Sequence, residues 1–167
     1  MFLKTVAEIR QDRLSTAMVS HDVILAPLWP KTGDNLGTLL RTADAIRGCM
    51  ATVSSAPGPK AIHRGDRIGV HNVCIHWIDD PIGWLTECQG QGYVLMAVEL
   101  AHGSVTLGEV HVEGPVVILL GHESRGIPEA ALSMADVRVE IPMMGVGNSL
   151  NVAVAGSLVA YKVRGWV

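Results

Sequence analysis

The sequence predicts an α/β fold with a mainly parallel sheet and helices on both faces. Short apolar runs of strand length alternate with segments of helical periodicity, which is the order of repeated βαβ units. Val116–Leu120 is apolar at every position, as expected of a central parallel strand that is covered on both sides. The 167 residues suit one domain, so we predict a single domain over 1–167, with 1–21 as a short helical extension.

The first half of the chain supplies the following predicted elements. A short helix covers Val6–Met18, and Asp22–Leu28 forms a buried strand. The next helix has Asn35 as its N-cap, carries an apolar stripe at helical spacing and ends at Gly48. The remaining segments of this half are the strand Cys49–Ser54, the Gly/Pro-rich loop Ser55–His71, the strand Val73–Ile78 and the helix Pro81–Gln89.

The second half continues the alternation. Its predicted elements are the strand Tyr93–Val98, the strand Val116–Leu120, the helix Ile127–Met134, the strand Val137–Ile141 and the helix Ser149–Val163. The last helix is apolar nearly all round and must be buried on most sides. The core and a dimer interface would both satisfy this requirement, and the sequence does not separate them.

Composition excludes several classes of protein. Hydrophobic residues make up 49% and charged residues 17%, which excludes a disordered chain. The net charge of −3 argues against coating nucleic acid by bulk charge, and 4% aromatic residues argue against a base-stacking platform. We see no secretory signal and no apolar run long enough to span a membrane, and we therefore expect a cytoplasmic protein.

The cysteines and histidines do not suggest a metal site. Cys49, Cys74 and Cys88 form no CxxC pair and are odd in number, so we expect three buried, reduced thiols. The seven histidines show no ligand spacing. We therefore predict neither a disulfide nor a bound metal.

The loops that follow three of the strands carry the candidate chemistry. In an open parallel sheet, ligands bind at the carboxyl ends of the strands. Glu99 follows one strand, the segment Gly121–Gly126 follows another, and Pro142–Asn151 follows a third. Gly121–Gly126 alone could be a plain glycine-rich turn. The second long loop is more informative, because capping the last helix explains one polar residue but not Asn148, Ser149 and Asn151 together.

Three blocks of sequence identify a family resemblance. Asn35–Ala43 reads N-L-G-T-L-L-R-T-A, and Gly121–Pro128 reads G-H-E-S-R-G-I-P. Ile141–Met143 reads I-P-M, and Ser149–Val152 reads S-L-N-V. Together and in this order, they resemble the three motifs of the SpoU (TrmH-like) branch of the SPOUT methyltransferases. The resemblance covers roughly Asp22 to Val163.

The resemblance implies a C-terminal deep trefoil knot, a homodimer and S-adenosylmethionine as cofactor. It implies methyl transfer to a ribose 2′-hydroxyl of RNA, with tRNA favoured and rRNA next, by a minimal single-domain enzyme. The implied cofactor contacts are Val98, Gly121, Ile141, Met143, Ser149 and Leu150. The implied catalytic set is Asn35, Arg41, Glu123, Ser149 and Asn151.

Arg41 is the residue on which the mechanism implied by this resemblance depends most. It lies about 140° from Leu36 on a helical wheel and so faces away from the apolar stripe; a solvated surface arginine is the alternative. Guanidinium groups stay protonated, and we therefore prefer a clamp on an RNA phosphate and the 2′-hydroxyl to a general base. The candidate RNA contacts are Lys31, Arg41, Lys60, Arg64, Arg67 and Arg125.

The other polar residues keep two interpretations each. Asn35 caps its helix and also orients Arg41 or the ribose, or it only caps the helix. Glu123 holds Asn35 or Arg41, or pairs with Arg125. Asn151 orders the pocket or caps the last helix.

Two rival functions stand beside the enzyme. One is a catalytically silent knot protein that binds S-adenosylmethionine or RNA. The other is a different nucleotide-binding α/β enzyme, against which the absence of GxxxxGK[ST] and GxGxxG argues.

Overall fold

A computed structural model describes residues 22–55, 62 and 73–167. The predicted helix Val6–Met18 and most of the loop Ser55–His71 lie outside the described residues. The strands are β1 (Val23–Pro27), β2 (Cys49–Val53), β3 (Cys74–Ile78), β4 (Val94–Val98), β5 (Val105–Thr106), β6 (Val116–Leu120) and β7 (Val137–Glu140). The helices are α1 (Asp34–Ile46), α2 (Pro81–Gly90), α3 (Glu129–Leu132) and α4 (Val152–Val163).

The seven strands form one sheet in the order β3-β2-β1-β6-β4-β7-β5, and every pairing between them is parallel. This confirms the predicted α/β class. The apolar strand β6 lies between β1 and β4, with Ile118 opposite both Leu25 and Met96. Every residue of β6 is buried, as its sequence predicted.

Helices cover both faces of the sheet, which was also predicted. On one face, α1 and α4 pack over β1 and β6, and their buried residues include Leu39 and Val159. On the other face, α2 and α3 contribute Leu85 and Ala131. The two helices of the first face are also joined by a hydrogen bond of 2.7 Å between the hydroxyls of Thr42 and Ser157. The carboxyl ends of the strands remain open between these layers.

The ends of α1 differ from the prediction. The helix begins at Asp34 with Gly33 as its N-cap, and no side chain caps it. Asn35 is therefore not the cap, because its side chain is engaged elsewhere. At the other end, Arg47 adopts the left-handed conformation (φ 54°) that we expected of Gly48. A Cβ on Gly48 would lie 2.5 Å from the carbonyl oxygen of Val23, so that glycine serves a close approach instead.

Other boundaries shift by a few residues. The predicted helix Ile127–Met134 is only the short α3, and the predicted helix from Ser149 begins at Val152. The two-residue strand β5 was not predicted, because a segment so short carries no readable periodicity.

The prediction for the cysteines was wrong. Cys49 and Cys74 lie directly opposite each other on β2 and β3, with their Cα atoms 4.6 Å apart, and form a disulfide. Sequence spacing could not show this, because the pairing depends on the register of two strands 25 residues apart. Cys88 is free and buried, as expected. Burial, followed by the nearby charge of Glu87, raises the pKa of the Cys88 thiol to about 11.

Among the described residues, every helix is too short or too polar to cross a bilayer.

Candidate functional site

A cavity of about 690 Å³ opens at the carboxyl ends of β4, β6 and β7, beside the start of α4. This is the edge of a parallel sheet at which ligands bind. All six residues predicted to contact a cofactor line this one cavity: Val98, Gly121, Ile141, Met143, Ser149 and Leu150. Three separate stretches of sequence therefore meet there. Their assignment to a cofactor stays a prediction.

The segment after β6 closes into a tight turn that forms one wall of the cavity. His122 and Gly126 exchange two backbone hydrogen bonds, of 3.0 and 2.9 Å. A Cβ on Gly121 would lie 2.5 Å from the carbonyl carbon of Gly126 and 2.6 Å from the amide nitrogen of Ile127. Only glycine allows the chain to cross itself this closely. The glycine positions are therefore a geometric requirement of the wall.

Glu99 holds this turn from the end of β4. One carboxylate oxygen accepts the backbone N–H of Ile127 at 3.0 Å, and the other accepts that of Leu100 at 3.2 Å. The sequence placed Glu99 at a strand end but gave it no role. Only the folded chain brings β4 next to a segment 28 residues away.

A chain of hydrogen bonds joins the upstream motif to the other two. The Asn35 amide donates to Oε1 of Glu123 at 2.8 Å, and the Asn151 amide donates to Oδ1 of Asn35 at 2.9 Å. Glu123 also accepts the backbone N–H of Lys31 at 2.8 Å. Asn35, Arg41 and Arg125 were proposed as partners of Glu123, and the structure shows the hydrogen bond with Asn35. The three residues thus tie the start of α1 to both loops of the cavity.

The direction of each bond in this chain follows from Glu123. An ionised carboxylate only accepts, so the Asn35 amide nitrogen must face it and the Asn35 oxygen must face Asn151. Asn151 then donates with its nitrogen and accepts the N–H groups of Ala153 and Val154 with its oxygen. Asn151 therefore caps α4, which was one of its two predicted alternatives, and it also joins the network. That it orders the pocket stays a prediction.

Hydrogen bonds keep Glu123 ionised. Burial acts to raise the pKa of Glu123, but hydrogen bonds from its own backbone N–H, the Asn35 amide and the N–H groups of Lys31 and Thr32 hold it below its ordinary value. A lowered carboxyl pKa adds stability above the pKa of the unfolded chain, and this stability is lost as the pH falls through the folded value. The network is therefore intact at neutral pH.

Two substitutions at Asn151 separate its two contacts. N151A removes the cap of α4 and is expected to lower the free energy of unfolding by about 1 kcal/mol. N151D keeps the capping oxygen but faces Asn35 with an acceptor, so we expect a smaller loss of stability and displacement of Asn35. Urea denaturation of both variants measures the loss in the free energy of unfolding. Equal destabilisation would contradict the view that the cap carries most of the stability.

The charged side chains of the lining are mainly acidic. Glu99, Glu123 and Glu140 line the cavity, with Arg125 as the basic residue among its described lining. A cleft lined mainly by one sign of charge attracts the opposite sign. The site therefore suits a ligand with positive charge and a neutral, partly apolar body.

Three of the six predicted RNA contacts, namely Lys31, Arg41 and Arg125, fall within the described residues. Arg41 is exposed on α1, on the side away from the core, as its helical position predicted. Lys31 is also exposed, and neither residue is part of the cavity lining in the described chain. Arg125 is exposed and belongs to the lining. Lys60, Arg64 and Arg67 lie outside the described residues.

Known proteins are similar to this chain in sequence and in fold. The SpoU rRNA Methylase family model matches residues 22–161. The chain is 31% identical over 164 residues to a tRNA (guanosine(18)-2′-O)-methyltransferase of Aquifex aeolicus, spanning 97% of this chain and 75% of that protein. It is 33% identical over 135 residues to an enzyme of the same name from Escherichia coli, covering 78% of this chain but only 57% of that protein.

Solved structures are also similar to this chain in fold. A TrmH/SpoU tRNA modifying enzyme of A. aeolicus superposes with a TM-score of 0.78 at 28% identity, covering 97% of this chain and 84% of that one. An AdoMet-bound rRNA methyltransferase from Sinorhizobium meliloti superposes with a TM-score of 0.79 at 26% identity, covering 91% and 59%.

Proposed function

The chain belongs to the SpoU rRNA Methylase family, and from this premise we propose that it transfers a methyl group from S-adenosylmethionine to a ribose 2′-hydroxyl of RNA, with tRNA as the favoured substrate. One observation carries the proposal above all. Asn35 and Asn151, 116 residues apart, meet at 2.9 Å beside the cavity, so the upstream motif and the two loop motifs form one site.

The cavity fits the cofactor in size and in charge. Its volume of about 690 Å³ lies within the range of roughly 300–1,000 Å³ that is usual for small-molecule sites. S-adenosylmethionine carries a positive sulfonium, which suits a lining with three glutamates and one arginine. A close relative in fold is AdoMet-bound. When bound, the cofactor supplies an electrophilic methyl group.

The residues of this chain have three tasks in the transfer. The turn Gly121–Gly126, held by Glu99, and the residues Ile141–Met143 and Ser149–Leu150 bind the cofactor. Glu123 and Asn151 hold Asn35 at the rim of the cavity. Arg41, six residues along α1 from Asn35, grips the RNA phosphate and orients the 2′-hydroxyl. The ribose oxygen would gain the methyl group as the bond from that group to the cofactor sulfur breaks, which leaves a neutral thioether, and the hydroxyl proton would pass to water.

The names of the relatives support tRNA as substrate. Those of A. aeolicus and E. coli are named for tRNA guanosine 2′-O-methylation, and a solved structure at 28% identity and a TM-score of 0.71 concerns 2′-hydroxyl methylation of C/U34 on tRNA. The relatives differ in the nucleotide modified, so we propose the substrate class alone. We propose the cytoplasm as the compartment of the enzyme.

Calorimetric titration with S-adenosylmethionine is the first test. We expect one cofactor bound per chain, and methyl transfer from labelled cofactor to bulk tRNA but not to deoxyribose nucleic acid. Comparing ribose methylation maps of RNA from cells with and without the gene would then locate the nucleotide. Failure to bind the cofactor would sink the proposal, whereas binding without transfer would favour the silent protein.

We propose three further features of the assembly. The chain folds as one domain, with a C-terminal trefoil knot formed where the segment after β7 returns beneath β6 and β1 as α4. It pairs as a homodimer through α4 and the loop residue before it, because Leu150, Val154 and Leu158 are spaced four residues apart and stay 37–47% exposed in the single chain. An experimental structure would test the knot, and a monomeric mass in sedimentation equilibrium would contradict the dimer.

A further inference from the structure

A second cluster of reactive side chains lies at the opposite end of the sheet from the cavity. Cys49 and Cys74 are the first residues of β2 and β3, whereas the cavity lies at the carboxyl ends of β4, β6 and β7. His76 lies two residues beyond Cys74 and therefore on the same face of the strand. One ligand atom from each of the three residues lies within 4.8 Å of the other two. This corrects our expectation that the histidines join no ligand group.

We propose that Cys49, Cys74 and His76 form a binding site for Zn²⁺ when the two thiols are reduced, and that the disulfide between the cysteines closes this site. Two thiolates and one imidazole are ligands that zinc prefers. The site lies apart from the methyl-transfer machinery, so it is a separate property of this chain.

The geometry of the cluster suits a tetrahedral ion. With Zn–S of about 2.3 Å and Zn–N of about 2.0–2.1 Å, neighbouring ligand atoms in a tetrahedral site lie roughly 3.5 Å apart. The distance from Sγ of Cys74 to Nε2 of His76 is 3.4 Å. Cys49 faces Cys74 across a parallel strand pair, with 4.6 Å between the Cα atoms. Once the bond between the sulfurs is broken, rotation about the Cα–Cβ bonds separates them without a change in the sheet.

The surroundings provide protection on one side and access on the other. Cys49 is fully buried, whereas Cys74 and His76 are half-buried on β3, an edge strand of the described sheet. His76 also lines a second cavity, of about 350 Å³, together with Glu87 and Tyr93. Cys88 lines the same cavity, whereas Cys49 and Cys74 do not. In the proposed site, a water molecule that reaches the ion from the His76 side is the fourth ligand, beside three protein ligands.

The proposed compartment also favours a metal over a permanent crosslink. This step rests on the proposed function, because a cytoplasmic tRNA-modifying enzyme would work where thiols are kept reduced. In such proteins, a close pair of cysteines is more often a metal or redox site than a structural disulfide.

The two states of the site are related by a balanced reaction. A dithiol reductant gives two electrons and two protons to the Cys49–Cys74 disulfide, and becomes a disulfide itself. The two thiols produced then release two protons as Zn²⁺ binds both sulfurs and the neutral His76 imidazole. The oxidised form has no thiolate to offer and should not bind.

The test uses the full chain, reduced with a phosphine and then freed of reductant under nitrogen. We would titrate it with Co²⁺, whose thiolate charge-transfer and tetrahedral d–d bands report the ligands, and then displace Co²⁺ with Zn²⁺ against a chelator. C49S, C74S and H76Q remove one ligand each. C88S is the control for the third cysteine, which is not in the cluster but lines the same cavity as His76. An unchanged spectrum in C88S shows that Cys88 is not the fourth ligand. Circular dichroism checks that each variant is folded.

We expect one Co²⁺ per reduced chain, with the same spectrum in C88S and none in the oxidised protein. Loss of one ligand should weaken Zn²⁺ binding by more than about 100-fold, because even an outer partner of a zinc ligand contributes about 10–100-fold. A disulfide that resists reduction in the folded chain would overturn the proposal. So would a folded, reduced chain without thiolate bands, or binding that C74S and H76Q leave intact. None of these readouts requires S-adenosylmethionine, so they do not depend on methyl transfer.

Discussion

G121A is expected to weaken the binding of S-adenosylmethionine by about 10–100-fold. The added methyl group would lie 2.5 Å from the carbonyl carbon of Gly126 and 2.6 Å from the amide nitrogen of Ile127, and both are backbone atoms. Backbone cannot rotate away, so the whole turn must move. Overpacking of this kind costs about 1–3 kcal/mol, and every 1.4 kcal/mol changes an affinity about tenfold. Calorimetric titration of the variant measures the loss.

G145A is the matched control. Gly145 belongs to the other loop of the site, and a Cβ there would meet no atom within 4 Å. The same chemical change should therefore leave cofactor affinity within about twofold of wild type, since surface substitutions usually alter free energies by less than about 0.5 kcal/mol. Wild-type affinity in G121A would show that the wall of the cavity does not bind the cofactor. Equal losses in both variants would point to a general effect of stiffening the loops.

Most of the fold could be predicted because its strands and helices carry local signals. The uniform burial of Val116–Leu120 and the apolar stripe of α1 follow from periodicity alone. The errors occur where the decisive partner is distant in sequence. Asn35 looks like a helix cap, but its side-chain oxygen, the atom that a cap would use, accepts a hydrogen bond from Asn151. Cys49 and Cys74 look unrelated until β2 and β3 pair in register.

The candidate site shows the same division. The six residues predicted as cofactor contacts, from Val98 to Leu150, all line one cavity. The role of Glu99 in holding the turn was not predicted. Its partner is the backbone N–H of Ile127, and a backbone partner cannot be recognised from the type of residue that carries it. A carboxylate directly after a buried strand was the one signal that could have found it.

R41A is expected to lower the single-turnover rate of methyl transfer by about 100–1,000-fold at saturating tRNA, because a misplaced reacting group or a lost charge-stabilising donor has effects of this size. Arg41 is exposed on α1 and does not belong to the described lining of the cavity. Cofactor affinity should therefore stay unchanged in the same variant, which provides an internal control. A full rate at saturating tRNA would exclude Arg41 from the reaction.

R41K separates a clamp from a base. Lysine keeps the positive charge of Arg41 but loses the planar fork that grips a phosphate with two hydrogen bonds. If Arg41 positions the RNA, R41K should recover part of the rate lost in R41A and raise KM for tRNA. If Arg41 removes the proton, lysine would alter the pH at which the rate rises, because amines titrate within the experimental range and guanidinium does not. The contacts that hold Asn35 come from Glu123 and Asn151, so a change at Arg41 should leave them in place. We therefore expect partial rescue by lysine, with an unchanged pH profile.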